Sequence, residues 1–223
     1  MNELTVFGPM YKDPPPNPYR FLEGSCNHFR LPLWGYGQGE QWPWFNEGKI
    51  YRALEEIASI PTPYVMFVDT RDSFLMGDEA EILAKFHACG SDILCSTEFT
   101  CWPDVELKPL YPPGPTRFQY VNGGGRMGTK EAMTALFERM ADLSRGGRDD
   151  DQHWLTRAFL DGFPMALDYR CEVFQTMAAQ PSFAWDGTRI LNLETGSKPC
   201  VLHFAGRTAG ISDYYKHCFG ETL

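Results

Sequence analysis

The chain has 223 residues, of which 43 % are hydrophobic and 22 % charged, so its composition is that of a globular domain with a sizeable core. This composition excludes a disordered chain, a collagen-like repeat and a coiled coil. The 20 Lys+Arg residues against 29 Asp+Glu residues leave a net charge of −9, which repels nucleic-acid phosphates and anionic lipid. We therefore expect no nucleic-acid partner.

The first predicted elements alternate between strand and helix. Residues 4–7 predict a strand, and Asn46 is expected to cap a helix whose apolar residues recur at helical spacing. Residues 64–68 form a continuous run of apolar, β-branched and aromatic side chains, which predicts a strand covered on both faces. Asp69 ends that run, so a polar turn follows the most buried predicted strand.

The rest of the chain continues this alternation. The predicted elements are a helix at 79–89, strands at 93–95 and 117–121, helices at 129–144 and 150–160, and strands at 165–167 and 201–203. The segment Asn122-Gly123-Gly124-Gly125 is expected to be a loop between a strand and a helix. Strands alternating with amphipathic helices predict one α/β sandwich with a mostly parallel sheet, and residues 1–223 are expected to form a single domain.

Two carboxylates follow the buried strand in the turn Asp69-Thr70-Arg71-Asp72. Ligands of open α/β sheets bind beyond the carboxyl ends of the strands, and carboxylate oxygens favour Mg²⁺ or Mn²⁺. The alternative is that Asp69 caps the turn and Asp72 is solvated. A phosphotransferase of the haloacid-dehalogenase type also ends a buried strand with two aspartates, but its second acid lies two residues on, where this chain has Arg71.

His203 ends a predicted strand that faces the same rim of the sheet. A neutral imidazole there can complete a metal site, and a mixed carboxylate and imidazole set shifts the preference from Mg²⁺ toward Mn²⁺. Arg207 follows a glycine and is a candidate phosphate contact. The alternative for His203 is a structural histidine with satisfied hydrogen bonds.

The acidic run Asp149-Asp150-Asp151 lies at a predicted helix N-terminus. One acid there is explained by capping, but three in a row repel one another, so we expect part of the run to face a sugar hydroxyl, an acceptor or a reacting carbon. Trp102 precedes a proline in an irregular segment. Its indole can form a wall on which a sugar stacks, or it can anchor the loop in the core.

In this order along the chain, these segments resemble the glycosyltransferase domain of the procollagen lysyl hydroxylases, with related viral collagen glycosyltransferases and, more distantly, glycogenin-like enzymes. The resemblance covers about residues 45–219. It rests on the stretches 67–72, 101–104, 117–118 with 122–125, the acidic run ending at 151–152, 167–170 with 173–175, and the strand that ends at His203.

This resemblance implies a GT-A-type, Rossmann-like α/β/α sandwich, a divalent metal that is usually Mn²⁺, with Mg²⁺ as the alternative, and a UDP-sugar donor. By position, the implied metal ligands are Asp69, Asp72 and His203, and the implied catalytic acids are Asp150 and Asp151. The implied substrate-binding residues are Lys49, Arg71, Glu98, Trp102, Asn122, Gly124, Gly206 and Arg207. Arg71 replaces an aromatic residue at a position that resembles a uracil-stacking one, which leaves the base preference open.

The predicted function is metal-dependent transfer of a hexose, from UDP-glucose or UDP-galactose, to a hydroxyl acceptor on a glycan or protein. The metal would bridge the donor diphosphate and stabilise the leaving group, with Lys49 or Arg207 as a second cation. Asp151 would act as a base if the reaction inverts, or stabilise an oxocarbenium-like state if it retains. The alternatives are a metal-dependent phosphohydrolase acting on nucleotide sugars and a non-catalytic sugar- or nucleotide-binding module.

Two features bear on the compartment. No stretch approaches the roughly eighteen consecutive apolar residues of a membrane span, and the first residues lack the pattern of a signal peptide, so we expect no membrane insertion and a cytoplasmic location as encoded. The seven cysteines include no Cys-x-x-Cys pair. They are predicted to be mostly reduced thiols in the core.

Overall fold

The computed structural model describes residues 2–12, 17–41, 46–145, 149–178, 182–206 and 210–220. Its strands are β1 (Leu4–Pro9), β2 (Leu33–Tyr36), β3 (Tyr64–Val68), β4 (Ser73–Leu75), β5 (Ile93–Glu98), β6 (Tyr120–Thr129), β7 (Ala166–Leu167), β8 (Phe174–Thr176), β9 (Phe183–Trp185), β10 (Ile190–Asn192) and β11 (Val201–His203). Its helices are α1 (Arg20–Phe29), α2 (Asn46–Ile57), α3 (Glu79–Ala88), α4 (Lys130–Ser144), α5 (Asp151–Leu160) and α6 (Ile211–Phe219), with a 3₁₀ helix at Val105–Leu110.

Six strands form the central sheet, in the order β2-β1-β3-β6-β5-β7. Strand β1 pairs in parallel with β2 and β3, and β5 pairs in parallel with β7, whereas β6 runs antiparallel to both of its neighbours. The predicted α/β class with a mostly parallel central sheet is therefore confirmed. Strands β4, β11 and β8 form a second, three-stranded sheet, and β9 and β10 form a hairpin.

Helices cover both faces of the central sheet because its middle strands are apolar on both sides. On β3, Val65 and Phe67 pack into a core with α2, α4 and α5. The alternate residues Met66 and Val68 pack into a second core with α1, α3 and the three-stranded sheet. The predicted α/β/α layering follows from this alternation.

Two sequence predictions about strands are wrong. The segment 122–125 is not a loop, because it lies inside β6, paired with β3. Its glycines allow close packing rather than a turn: a Cβ on Gly124 would lie 2.0 Å from Cε1 of His203, and a Cβ on Gly125 would lie 2.6 Å from Cδ1 of Phe174. The strand that ends at His203 is also not part of the central sheet, since it pairs with β4 and β8.

All seven cysteines are free thiols, five of them buried. Burial in the core raises the pKa of the Cys95 thiol to about 12, so that group stays protonated at neutral pH. Among the helices of the described ranges, none has the length and apolar character needed to cross a membrane.

Candidate functional site

Asp69, Asp72 and His203 converge at one edge of the fold. Their closest ligand atoms all lie within 4.8 Å of one another. Asp69 directly follows β3, and Asp72 directly precedes β4. His203 is brought to them by the ladder between β11 and β4, in which it pairs with Ser73. The second sheet therefore places a residue from the C-terminal part of the chain beside the turn after β3.

The distances within this group suit a divalent cation. Nε2 of His203 lies 3.5 Å from Oδ1 of Asp72 and 3.7 Å from Oδ2 of Asp69. Both Nε2 of His203 and Oδ1 of Asp72 are buried and form no hydrogen bond to any described residue. Ligand atoms that share an ion at about 2.1 Å lie roughly 3.0 to 3.5 Å apart. Two oxygens and an imidazole nitrogen fit Mn²⁺ or a similar ion.

The same contacts shift the protonation of the group. Burial opposes ionisation of Asp72, but the facing His203 and the N–H of Gly206, 3.0 Å from Oδ2, hold the pKa of Asp72 below its ordinary value. Burial alone would lower the pKa of His203, yet the carboxylates of Asp72 and Asp69 raise it. The negative charge of Asp72 is therefore retained at neutral pH, where it can balance a cation.

Gly124 contacts two of the metal-ligand candidates. Its carbonyl accepts a hydrogen bond of 3.0 Å from the N–H of Asp69. The His203 ring packs against its Cα, in space that any side chain would fill. Gly124 was predicted as a substrate-binding residue, and the structure also gives it a part in seating two of the metal-ligand candidates.

Lys49 links this group to the acidic run. Its Nζ lies 2.7 Å from Oδ1 of Asp69 and 2.7 Å from Oδ2 of Asp151, while the lysine side chain is only 5 % exposed. Burial would lower the pKa of Lys49, but the two carboxylates raise it well above its ordinary value. Burial would raise the pKa of Asp151, but Lys49 and Arg126 hold it down. Both groups are therefore charged.

The three acids of the run face different partners. Oδ1 of Asp149 accepts from the N–H groups of Asn46, at 2.7 Å, and Glu47, at 3.2 Å, and so caps α2. Asp150 caps α5, because its Oδ1 accepts from the N–H groups of residues 152 and 153 at 3.0 and 3.1 Å. Asp151 alone faces Lys49 and lines the cleft. Asp150, predicted as catalytic, does not line it.

A cleft of about 670 Å³ opens beside the three metal-ligand candidates. Five predicted substrate-binding residues line it: Glu98, Trp102, Asn122, Gly124 and Gly206. The Trp102 residue is 59 % exposed, so its indole forms a wall of the cleft and not a core anchor. Its carbonyl accepts a hydrogen bond of 2.7 Å from Nε2 of Gln152, which ties this loop to α5.

A smaller cleft of about 260 Å³ is also lined by Asp69 and Asp151. Lys49, Asp72 and the exposed Arg71 line it. The predicted substrate-binding residues are thus divided between two clefts that meet at Asp69 and Asp151. Arg207, the remaining candidate, lies outside the described residues.

Sequence reasoning missed two residues of this region. Gln152 accepts from the N–H of Gly123 at 2.7 Å and donates to Oε1 of Glu98 at 2.7 Å, and its only sequence signal is its place next to the acidic run. Arg126 is fully buried in β6, with its guanidinium carbon 4.0 Å from the ring centre of Phe67. A charged residue inside a strand normally indicates a solvent-facing position, so nothing in the sequence identified Arg126 as a buried cation.

Proteins of a known family have sequences similar to that of this chain. The sequence model of the PLOD GT domain matches residues 16–216. The human multifunctional procollagen lysine hydroxylase and glycosyltransferase LH3 is 29 % identical over 209 residues, which cover 85 % of this chain and 28 % of that protein. The uncharacterized protein R699 of Acanthamoeba polyphaga mimivirus is 30 % identical over 196 residues, covering 83 % of this chain and 42 % of that protein.

The fold has a solved counterpart. A glycosyltransferase involved in the glycosylation of the major capsid of PBCV-1 superposes with a TM-score of 0.57 over 98 % of this chain and 99 % of that one, at 10 % identity. The chain spans less than half the length of the curated relatives described above. Because the family match extends over most of the sequence, the chain belongs to the PLOD GT domain family, a family of glycosyltransferase domains.

Proposed function

We propose that the chain is a metal-dependent glycosyltransferase that moves a hexose from UDP-glucose or UDP-galactose to a hydroxyl group on a glycan or protein. The observation that carries the proposal is the meeting of Asp69, Asp72 and His203 where two clefts join. A donor that spans the junction would place its diphosphate at the ligand group, its nucleoside on one side and its sugar on the other.

The residues that would hold the ion are Asp69, Asp72 and His203, whose mixed oxygen and nitrogen set favours Mn²⁺, with Mg²⁺ as the alternative. The ion would supply Lewis-acid stabilisation of the negative charge that develops on the leaving diphosphate. Lys49 adds a fixed positive charge at the same place, since its ammonium lies 2.7 Å from Oδ1 of Asp69. Arg207 remains a candidate second cation.

The larger cleft suits the sugar and its acceptor. The carboxylate of Glu98 and the amides of Asn122 and Gln152 present hydrogen-bonding atoms that match sugar hydroxyls. The exposed Trp102 indole offers an apolar face on which a sugar ring can stack. The smaller cleft, with Arg71 at its rim, suits the nucleoside, because a guanidinium can stack on a planar base.

Asp151 is the acid best placed to act on the reacting carbon or the acceptor. It lines both clefts, and the ion pair with Lys49 keeps it ionised. As a carboxylate it can accept the acceptor proton in an inverting reaction, or stabilise positive charge on the sugar in a retaining one. Asp150 contributes by holding the first turn of α5 and therefore the position of Asp151.

The test combines binding with turnover. A thermal-shift panel of nucleotide sugars is run with and without Mn²⁺, and we expect stabilisation by UDP-glucose or UDP-galactose that requires the ion. A ligand at 100 times its Kd adds about 2.7 kcal/mol. Release of UDP from the stabilising donor is then measured for the wild type, for Asp69→Asn and for the exposed-site control Asp161→Asn.

Each outcome discriminates between functions. Ion-dependent UDP release that Asp69→Asn abolishes and Asp161→Asn preserves supports the transferase. Release of UMP and a sugar 1-phosphate instead of UDP identifies a phosphohydrolase, because water then cleaves the diphosphate and not the glycosidic bond. Ion-dependent binding without turnover, with or without a panel of glycan and peptide acceptors, identifies a binding module.

A further inference from the structure

Asn122 occupies a buried position between the metal-ligand candidates and the larger cleft. It lies in β6 and is 2 % exposed. Its Oδ1 lies 2.9 Å from Nδ1 of His203, 3.0 Å from the N–H of Gly124 and 3.1 Å from Oγ of Ser96. The amide oxygen is thus shared by the backbone of β6, a serine of β5 and the imidazole at the end of β11.

Two neighbours determine which way the Asn122 amide points. The N–H of Gly124 can only donate, so the amide atom that faces it must be the oxygen. On the opposite side, Nδ2 of Asn122 lies 3.0 Å from Oε1 of Glu98, and a carboxylate oxygen accepts a hydrogen bond from that NH₂ group. A flipped amide would lose both hydrogen bonds, and the orientation is therefore fixed by chemistry.

This orientation has a consequence for the imidazole. Nδ1 of His203 faces an oxygen that has no proton to offer, so Nδ1 must carry the proton of that hydrogen bond. In the neutral ring the lone pair is then on Nε2, which lies 3.5 Å from Oδ1 of Asp72 and makes no hydrogen bond to a described residue. An imidazole nitrogen binds a metal only through such a lone pair.

We propose that Asn122 is a positioning residue that holds His203 in the Nδ1–H tautomer, so that Nε2 is presented to the divalent cation. The proposal rests on the proposed function for the cation itself, but the tautomer is a property of the metal-free chain. Partners that orient a ligating histidine in this way usually change metal affinity by about 10- to 100-fold when removed. Through its NH₂ group on Glu98, the same side chain also joins the ion site to the sugar side of the cleft.

The test reads the tautomer directly. Long-range ¹H–¹⁵N correlation spectra of the metal-free protein are recorded at a pH where His203 is neutral, and its signals are assigned by their loss in His203→Gln. We expect a protonated Nδ1 and an unprotonated Nε2 in the wild type. In Asn122→Ala we expect a population with the proton on Nε2, because the oxygen that held Nδ1–H is gone. A wild-type ring with its proton on Nε2 overturns the proposal.

A second measurement follows Mn²⁺ binding by calorimetry, with no donor or acceptor present. We expect Asn122→Ala to bind Mn²⁺ about 10- to 100-fold more weakly and Ser96→Ala, which alters the same oxygen's surroundings without touching the imidazole, to bind within a few-fold of the wild type. Folding of each variant is checked by thermal unfolding. If Asn122→Ala does not fold, Asn122→Asp replaces it: this variant keeps the oxygen and is expected to retain the Nδ1–H tautomer.

The outcomes separate this inference from the proposed function. A folded Asn122→Ala with unchanged tautomer and unchanged Mn²⁺ affinity overturns the role of Asn122, whatever the activity. An Asn122→Asp ring with its proton on Nε2 does so too. The predicted tautomer in a wild type that binds no Mn²⁺ upholds the positioning of the imidazole and removes the metal-dependent function.

Discussion

Lys49 of α2 forms an ion pair with Asp151 of α5 at 2.7 Å while its ammonium also contacts Asp69 at 2.7 Å. The lysine is buried, and it is the cation that separates two carboxylates at the junction of the clefts. It therefore joins the three metal-ligand candidates to the candidate catalytic acid.

Replacing Lys49 by methionine should destabilise the metal-free protein. The substitution keeps most of the apolar stem but leaves the carboxylates of Asp69 and Asp151 to repel each other. Breaking a buried pair costs about 3 to 5 kcal/mol, and Asp69 is partly exposed, so we expect a loss of about 2 to 3 kcal/mol in urea unfolding. Lys108→Met, at an exposed lysine of the same cleft, should change stability by less than about 0.5 kcal/mol. Equal effects of the two variants would contradict the linking role of Lys49.

Gly124→Ala should abolish cation binding while it lowers the stability of the fold much less. Its new Cβ would lie 2.0 Å from Cε1 of His203, so the imidazole must leave its place beside Asp72. The neighbouring Gly123→Ala is the control, because the nearest atoms to its Cβ would belong to Gln152, the first of them Cβ at 3.1 Å, and not to the imidazole. We expect the thermal shift with Mn²⁺ to be lost in Gly124→Ala and kept in Gly123→Ala. A Gly124→Ala protein that still responds to Mn²⁺ would show that His203 is not a ligand.

These glycines show where sequence reasoning stops. A run of three glycines ordinarily predicts a loop, because glycine weakens strands. In β6 the missing side chains are replaced by partners from other elements, His203 and Phe174, which the sequence does not place nearby. By contrast, the boundaries of β3 and α4 were predicted to within a residue, since apolar runs and helical periodicity depend on local sequence alone.

The candidate site likewise contains residues that a local motif predicts and residues that only contacts between distant segments bring together. Asp69 and Asp72 lie in one turn, so a short motif after a buried strand is enough to predict that their carboxylates lie close together. His203 reaches them through a ladder with β4, which no local motif predicts; its place at the end of a predicted strand and the family resemblance made it a candidate. Gln152 and Arg126 act through contacts between elements, and no local pattern marks such residues.

Asp168 should make stability depend on pH. Burial raises the pKa of its carboxyl to about 6, although it accepts hydrogen bonds from the N–H groups of residues 172, 173 and 174. The folded state then binds the proton more tightly than the unfolded state, so this residue's stabilising contribution is full below about pH 4 and is lost as the pH rises through 6. The shift corresponds to about 2 to 3 kcal/mol.

The measurement is the difference in unfolding free energy between wild type and Asp168→Asn at pH 4 and pH 7. Because the neutral amide does not titrate, we expect the variant to gain about 2 kcal/mol relative to the wild type over this range. Because the two proteins are compared at the same pH, the effects of the other carboxyl groups, which titrate in both, cancel. A relative loss instead of a gain would mean that the three N–H groups outweigh burial.

Asp150 and Asp151 are adjacent in sequence but should respond differently to substitution. Asp150→Ala removes the cap of α5 and should cost about 1 kcal/mol of stability, and Asp150→Ser should restore most of it because a serine oxygen also accepts from the first-turn N–H groups. UDP release should fall in Asp150→Ala, because the cap holds Asp151 in position, and should return toward the wild-type rate in Asp150→Ser. Asp151→Asn should instead lower the rate by about 10²- to 10⁴-fold, the range of a general acid or base. The rates are measured at saturating donor and Mn²⁺, beside urea unfolding of each variant. If Asp150→Ser regains stability but not turnover, then Asp150 acts in the reaction and its capping contact does not account for its role.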